Sequence, residues 1–468
     1  MWWLILLKRI GIFIMVHKYS LNGFNIALDV NSGCVHVLDD ISYELLDYID
    51  ENMQKDCPEE VLGKLSVKYD KEEIISSYDE LYKLYKDEML FANDDFLNEA
   101  AEKLKEYSPI KAMCLHIAHD CNLRCEYCFA STGDYAAGHR SLMSYEVGKK
   151  AIDFLIEKSG NRRNLEVDFF GGEPLMNFEV VKTLVDYGRK REKECGKNFR
   201  FTITTNGILL DDDKIKYINE NMHNVVLSLD GRKEVNDKMR KRIDGSGSYD
   251  SIVEKYKNFV SQRGVKDYYV RGTFTRNNLD FSKDLMHMVD LGFKQTSIEP
   301  VVSDENLDYA LKEEDLPIIF AEYEKLAKEI IEKRKKGEFF NFFHFMIDLS
   351  QVPCVIKRLK GCGSGNEYIA VTPEGDIYPC HQFVGMEEYK MGSVMDKSFD
   401  ESIKQKFADA NILNKPKCKD CFAKFYCSGG CNANNLLYGG GLDEPYEISC
   451  KLERKRIECA IMIKAALA

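Results

Sequence analysis

The rhythm of apolar and polar positions changes twice along the chain. From Lys18 to about Asp39 apolar residues recur on a period of two, broken at Asn22-Gly23 and Asn31-Ser32-Gly33, which predicts short strands joined by turns. A helical period then takes over. Leu45, Leu46 and Ile49 mark one helix behind a cap at Asp39 or Asp40, and Val61 to Tyr69 and Glu72 to Leu90 mark two more. A strand hairpin followed by three helices predicts a winged-helix-like domain over residues 15–107. Beyond Lys111 apolar strands alternate with helices in six rounds: Met113 to Ile117, Leu165 to Phe170, Phe201 to Thr205, Val225 to Leu229, Tyr268 to Phe274, and Thr296 to Val301. Such alternation predicts an α/β fold in which a parallel sheet curls into a partial (β/α)6, TIM-like barrel over residues 108–338. In barrels of this kind chemistry sits where strands end and helices begin. Phe339, Phe340, Phe342, Phe343 and Phe345 open the last segment, 339–468, and an aromatic run of that density is expected in a core rather than in a peptide groove.

Composition narrows the function. With 44% hydrophobic and 30% charged residues in 468, the chain has the make-up of an ordinary globular protein, and a formal charge of −12 leaves no footprint for nucleic acid. The 16 cysteines cluster in short spacings, which favours metal ligation in a reducing compartment over disulfides and makes the cytoplasm the expected location. The apolar run 1–14 is interrupted by Lys8 and Arg9. It is short for a bilayer span of roughly 20 residues and lacks the layout of a signal peptide. It is expected to be an extension or a mis-assigned start ahead of Met15, not a membrane anchor.

Chemistry enters with Cys121, Cys125 and Cys128, in the run Cys121-Asn122-Leu123-Arg124-Cys125-Glu126-Tyr127-Cys128 after the first barrel strand. A four-iron, four-sulfur cube held by three thiolates keeps one iron open to an outside ligand. Zinc is the alternative, but structural zinc takes four protein ligands and rarely three thiolates in so tight a loop. Other motifs also fall at strand ends. Gly171-Gly172-Glu173-Pro174 follows the second strand, Thr205-Asn206-Gly207 the third, Ser228-Leu229-Asp230-Gly231 the fourth and Glu299-Pro300 the sixth. Singly each is an ordinary turn; their order on successive strands gives them weight.

The cysteine spacing, with those loops in that order, resembles the radical S-adenosylmethionine (SAM) enzymes. The resemblance implies a [4Fe–4S] cluster on Cys121, Cys125 and Cys128, its open iron chelated by the amino and carboxyl groups of SAM. It implies that Gly171, Gly172 and Glu173 meet the amino group, that Asn206, Ser228, Asp230 and Arg240 meet the ribose or the carboxylate, and that Tyr127 borders the adenine. The implied reaction is reductive cleavage of the sulfonium to methionine and a 5′-deoxyadenosyl radical that abstracts hydrogen from carbon. The electron would come from a low-potential flavodoxin or ferredoxin.

Further cysteines follow. Cys362, Gly375 and Cys380 set up one pattern, and Cys418, Cys421, Cys427, Cys431 and Cys450 another. Seven thiols in this order resemble the SPASM domain, with zinc ribbons as the alternative. The resemblance implies two auxiliary [4Fe–4S] clusters, three in all. Cys418, Cys421, Cys427 and Cys450 would close one, while Cys362, Cys380 and Cys431 supply three ligands to the other. Cys354 either completes that second set or leaves its iron free for a substrate thiol, which coordination would deprotonate and hold in place. Cys34, Cys57, Cys114, Cys195 and Cys459 are expected to be small buried hydrophobes. His381 stands after Cys380, where sulfatase-maturing SPASM enzymes carry an aspartate base, and this departure weighs against that activity.

Taken together, the start Met15 to Val37, the run Gly361-Cys362-Gly363-Ser364-Gly365 and the run Tyr378-Pro379-Cys380-His381-Gln382-Phe383 resemble the maturases of SCIFF peptides, short cysteine-rich ribosomal precursors. The resemblance implies a thioether synthase of oxidoreductase type. Its N-terminal domain would hold the leader of the precursor as an added strand, and a carbon of an acceptor such as threonine would be joined to a cysteine sulfur. Another SPASM enzyme, such as an anaerobic sulfatase maturase, and a non-catalytic zinc-stabilised peptide-binding protein are the alternatives.

Overall fold

The computed structural model describes residues 15–135, 138–349 and 355–468. The run 1–14 and Cys354 therefore lie outside the described residues. The chain begins with β1 (Val16–Leu21), β2 (Phe24–Asp29) and β3 (Val35–Leu38), an antiparallel meander in that order. Asn22 and Gly23 both take positive φ, 51° and 85°, which the two-residue turn between twisted strands demands. The expected hairpin thus has a third strand, and β3 is left at the sheet edge.

Helix α1 (Asp40–Leu45) starts where the Asp39 carboxylate accepts the Ser42 N–H at 2.7 Å, and α2 (Glu59–Leu65) and α3 (Lys71–Lys86) follow. Leu46 and Ile49 fall beyond the end of α1, yet they still pack on a small core of Leu45, Val61, Leu65, Ile74, Tyr78 and Leu81. The domain buries that core independently of the barrel. Helix α4 (Phe96–Leu104) leads out of it, with the Phe96 ring 5.8 Å from that of Phe425.

From β4 (Ala112–His119) the chain passes through the short strands β5 (Leu123–Cys125) and β6 (Ser141–Leu142) to α5 (Tyr145–Lys158). It then repeats strand and helix: β7 (Asn164–Gly171), α6 (Phe178–Cys195), β8 (Asn198–Thr205), α7 (Asp212–Asn221), β9 (Asn224–Ser228), α8 (Lys233–Met239), β10 (Arg240–Arg242), α9 (Tyr249–Ser261), β11 (Tyr269–Phe274), α10 (Phe281–Asp290), β12 (Gln295–Pro300) and α11 (Leu316–Lys335). Strands β4, β7, β8, β9, β11 and β12 pair in parallel in that order, the six rounds expected from the sequence. Every residue of β4 is buried, as in a central strand covered on both faces.

The C-terminal segment does not build a sheet of its own. After β13 (Asn341–Phe342), which pairs with β12, and α12 (Val355–Lys360), strand β14 (Tyr368–Val371) pairs in parallel with β4. Strands β15 (Asp376–Tyr378), β16 (Gly392–Ser393) and β17 (Ser398–Phe399) continue outward as an antiparallel ribbon. This pairing carries the later cysteines to the barrel edge next to β4, the strand that ends at His119, two residues before Cys121. Phe340, Phe342 and Phe345 are buried as expected, whereas Phe339 and Phe343 are exposed.

Short helices α13 (Glu401–Asp409), α14 (Pro416–Lys419), α15 (Lys424–Cys427) and α16 (Asn432–Asn434) carry the remaining cysteine loops, and α17 (Glu447–Leu467) closes the chain. Helix α17 runs along α11 and ties in the N-terminal sheet, since Tyr19 OH donates to the Glu458 carbonyl at 3.0 Å. The His17 ring stacks on Phe422 at 3.5 Å between centroids. No helix among the described residues is long and apolar enough to cross a membrane.

Candidate active site

Cys121, Cys125 and Cys128 share a cavity of about 430 Å³ at the strand ends of the barrel, within the range of small-molecule sites. Strand β5 positions them by pairing antiparallel with β10, which sets Cys125 opposite Arg240. The Cys121 sulfur accepts from the Leu123 N–H at 3.4 Å and from the Asn206 amide at 3.6 Å, contacts that favour a thiolate. Burial nonetheless pushes the free thiols up, Cys121 to about 12 and Cys125 to about 11. A cationic metal centre reverses that preference outright.

The glycine motif is shaped by close backbone approach. Gly171 has φ +116°, and a Cβ there would lie 2.4 Å from the Ala118 oxygen; one on Gly172 would lie 2.1 Å from the Asp120 oxygen. These contacts clamp the end of β7 to the segment that precedes Cys121. Gly172→Ala is therefore expected to displace the cysteine loop, because backbone cannot swing aside as a side chain does. Overpacking of roughly 1–3 kcal/mol predicts a loss of about tenfold or more in 5′-deoxyadenosine release, measured by chromatography of the nucleoside.

Glu173 is fully buried and uses both oxygens. Oε1 accepts from Thr205 Oγ1 at 2.8 Å and from the Leu175 N–H at 3.0 Å, and Oε2 accepts from the Asn206 N–H at 2.7 Å. Burial raises its carboxyl to about 7 against those donors. Asn206 donates onward to the Asn122 side chain at 2.7 Å, so one chain of contacts joins Glu173 to the cysteine loop.

Tyr127, Gly171, Gly172, Glu173, Asn206, Ser228 and Arg240 all line the cavity, but Asp230 does not. It is fully buried behind the wall, accepting from Tyr127 OH at 2.9 and 2.7 Å and from the Thr273 N–H at 3.0 Å. Arg240 Nη1 donates to the same Tyr127 hydroxyl at 2.9 Å, and Arg240 Nε is buried with no partner. An unsatisfied guanidinium N–H at a cavity wall suits an anionic or polar ligand group. Asp230, expected to meet the ribose or carboxylate, thus stands beside the cavity wall and contacts Tyr127, which Arg240 also contacts. The thiols, the close glycine cradle and the unpartnered Arg240 N–H fit a cluster with SAM.

The later cysteines fall into two groups. Burial pushes these thiols up, and their neighbours add to it: Cys450 and Cys418 at Cys427, Cys418 and Cys421 at Cys450, and Cys431 and Cys362 at Cys380. Among the described residues no three Cys, His, Asp or Glu side chains gather tightly enough for a single metal ion. Cys431 belongs to the second group and also lines the cavity of Cys121, Cys125 and Cys128.

Arg271 on the cavity wall was not singled out from the sequence, whereas Glu299 belongs to the Glu299-Pro300 motif expected at the end of the sixth strand. Arg271 on β11 and Glu299 on β12 stand 3.7 Å apart on neighbouring strands. Behind them Arg456 Nη1 donates to His344 Nδ1 at 2.8 Å, and the opposite ring nitrogen of His344 faces Glu299 Oε1 at 3.4 Å. Burial lowers His344 to about 3, so the ring is neutral. Against burial, which pushes it up, the positive charges of Arg271 and Arg456 hold the Glu299 carboxyl below its usual range. The available signal was a charge at an apolar strand position. His381 is half-buried near Phe129 and Phe170, at 5.3 and 5.1 Å between centroids, and desolvation lowers it to about 4.

Residues 115–273 match the radical SAM superfamily, and residues 362–422 match SPASM, an iron–sulfur cluster-binding domain. A cysteine-type anaerobic sulfatase-maturating enzyme of Clostridium novyi is 25% identical over 339 residues, 67% of this chain and 86% of that protein. The crystal structure of native anSMEcpe with bound AdoMet and Kp18Cys peptide superposes with a TM-score of 0.63 at 21% identity, over 76% of this chain and 99% of that one. Streptococcus suis SuiB bound to its precursor peptide SuiA superposes with a TM-score of 0.54 at 17% identity, over 94% of this chain and 100% of that one.

Proposed function

The chain belongs to the radical SAM enzymes that carry a SPASM iron–sulfur domain, and from that premise we propose that it installs thioether bridges in a ribosomally made, cysteine-rich precursor peptide of the SCIFF kind. One observation carries the reading. Cys121, Cys125 and Cys128 on one side and Cys431 with Gln382 on the other open onto the same cavity, so the place where hydrogen leaves a carbon and the place where a sulfur is held are within one peptide's reach. When bound, SAM and its cluster supply a 5′-deoxyadenosyl radical that takes a hydrogen atom from a peptide carbon.

The chain's own residues do the rest. Gly171, Gly172, Glu173, Asn206, Ser228 and Arg240 hold SAM, with Tyr127 and Asp230 fixing Arg240. Arg271 and Glu299 offer a donor and an acceptor to the peptide at the cavity wall. Phe129, Phe170, Val301 and Val302 keep water from the reacting carbon. Cys362, Cys380 and Cys431 hold one auxiliary cluster, and Cys418, Cys421, Cys427 and Cys450 the other. Edge strand β3, with Val37 54% exposed, receives the leader as an added strand. A low-potential flavodoxin or ferredoxin in the cytoplasm supplies the electron.

A second reading has the sulfatase-maturating relatives in its favour: oxidation of one residue on a protein substrate. His381 in place of the aspartate base, and a likeness to SuiB that extends over the N-terminal domain, support the first. The test is mass spectrometry of a leader-bearing cysteine-rich precursor after anaerobic incubation with the enzyme, SAM and reductant. Loss of two hydrogens for each bridge, with loss of an alkylatable thiol, is expected. An unchanged precursor beside an oxidised sulfatase peptide contradicts the proposal. An isolated leader peptide is expected to compete with the precursor and slow bridging about tenfold or more when in excess, while basal SAM cleavage continues.

A further inference from the structure

A cation with no carboxylate beside it sits between the two groups of auxiliary thiols. Lys415 is 0% exposed. Its ammonium donates to the Gly429 carbonyl at 2.9 Å and to Asn432 Oδ1 at 3.1 Å, and no ion-pair partner stands near it among the described residues. Asn432 Nδ2 donates in turn to Ser364 Oγ at 3.1 Å. One hydrogen-bonded strip therefore links the loop between Cys427 and Cys431 to the segment that starts at Cys362. The ammonium thus lies against the loop that separates Cys427 of one group from Cys431 of the other; burial lowers its pKa, and Cys418, Cys427, Cys362 and Cys431 act against that.

A buried lysine without a counter-ion is costly, because desolvation penalises its charge and two neutral acceptors return only part of that. The packing around it is also committed: a Cβ on Gly429 would lie 3.0 Å from Lys415 Cδ and 3.1 Å from Nζ. The cost makes sense where anionic clusters lie on both sides. Cluster potentials depend on net charge and burial, and a cation in a low-dielectric interior favours the form carrying one more electron.

We propose that Lys415 is the shared counter-charge of the two auxiliary clusters, raising the reduction potential of both so that they accept the electron released on bridging. The inference rests on the proposed function and on the assignment of the seven cysteines as cluster ligands. Joining a carbon radical to a cysteine thiol forms one C–S bond, breaks the S–H bond and releases one proton and one electron. The proton goes to solvent or a basic side chain, and the electron reduces an oxidised auxiliary cluster by one unit. Without Lys415 that transfer is less favourable, whereas the cluster on Cys121, Cys125 and Cys128 keeps its own surroundings.

The test is an anaerobic redox titration followed by electron paramagnetic resonance on the full-length protein, comparing wild type with Lys415→Met, Lys415→Gln and Lys415→Arg. The two neutral variants are expected to shift both auxiliary midpoints to more negative values by about tenfold in the reduction equilibrium, about 59 mV for one electron. The arginine variant should stay near wild type. If the neutral variants fail to retain auxiliary iron while the arginine variant retains it, a requirement for the charge is again supported. Unmoved midpoints in neutral variants with full auxiliary signals overturn the proposal, as does equal iron loss in all three. Wild-type protein with no auxiliary cluster signal refutes the cluster assignment itself, a different failure.

Discussion

Cys125→Ala is expected to abolish reductive cleavage of SAM, with 5′-deoxyadenosine release falling more than about 10³-fold, in line with the 10²–10⁴-fold or larger penalties of removing an essential group. Cys125 lies on β5, opposite Arg240 on β10, and alanine fits a short two-stranded ribbon without disturbing its backbone pairing. The loss is therefore local. About four irons should be missing from the anaerobically reconstituted protein, the content of one cube, while leader binding through the N-terminal domain stays at the wild-type level. Nucleoside release and iron content at wild-type values would refute the assignment of this loop.

Glu173→Gln is expected to weaken SAM binding by about 10- to 100-fold, measured by equilibrium dialysis of the reconstituted protein. The native carboxylate accepts from Thr205 Oγ1, the Leu175 N–H and the Asn206 N–H. A glutamine presents an NH₂ to one of these donors and leaves buried polar groups unpaired, at roughly 1–3 kcal/mol each. The variant also removes the negative charge proposed to meet the amino group of SAM. Because Asn206 connects Glu173 to Asn122 and Cys121, the displacement reaches the cysteine loop. A dissociation constant within a factor of two of wild type would contradict the role given to Glu173.

The six barrel strands were legible because each is apolar and bounded by turn residues, and a buried parallel sheet writes that pattern directly into the chain. The motif loops were legible for a related reason. Their glycines answer to backbone contacts at Ala118 and Asp120, and such contacts leave a fixed trace in sequence. The third strand of the N-terminal sheet, only Val35–Leu38, lies inside the period-two stretch but is too short to be counted apart from the hairpin. The pairing of β14 with β4 joins residues more than 250 positions apart, and nothing local encodes it.

Among site residues, local spacing gave the cysteines and the neighbours of Gly172, whereas three dimensions were needed for the rest. Asp230 falls in the expected loop, yet its direction, toward Tyr127 and away from the cavity, depends on β11 supplying the Thr273 N–H. Arg271 and Glu299 face each other only because β11 and β12 are neighbours. Lys415 sits in a run of lysines and looks like any surface cation until the loop around Gly429 folds over it.

The most direct test of the central claim follows deuterium from the peptide to the nucleoside. A leader-bearing precursor deuterated at the carbon positions of its acceptor residues is incubated with reduced enzyme and SAM, and the 5′-deoxyadenosine is weighed by mass spectrometry. The account predicts nucleoside carrying deuterium, with one equivalent formed for each bridge. Nucleoside without deuterium, or none at all, would contradict it.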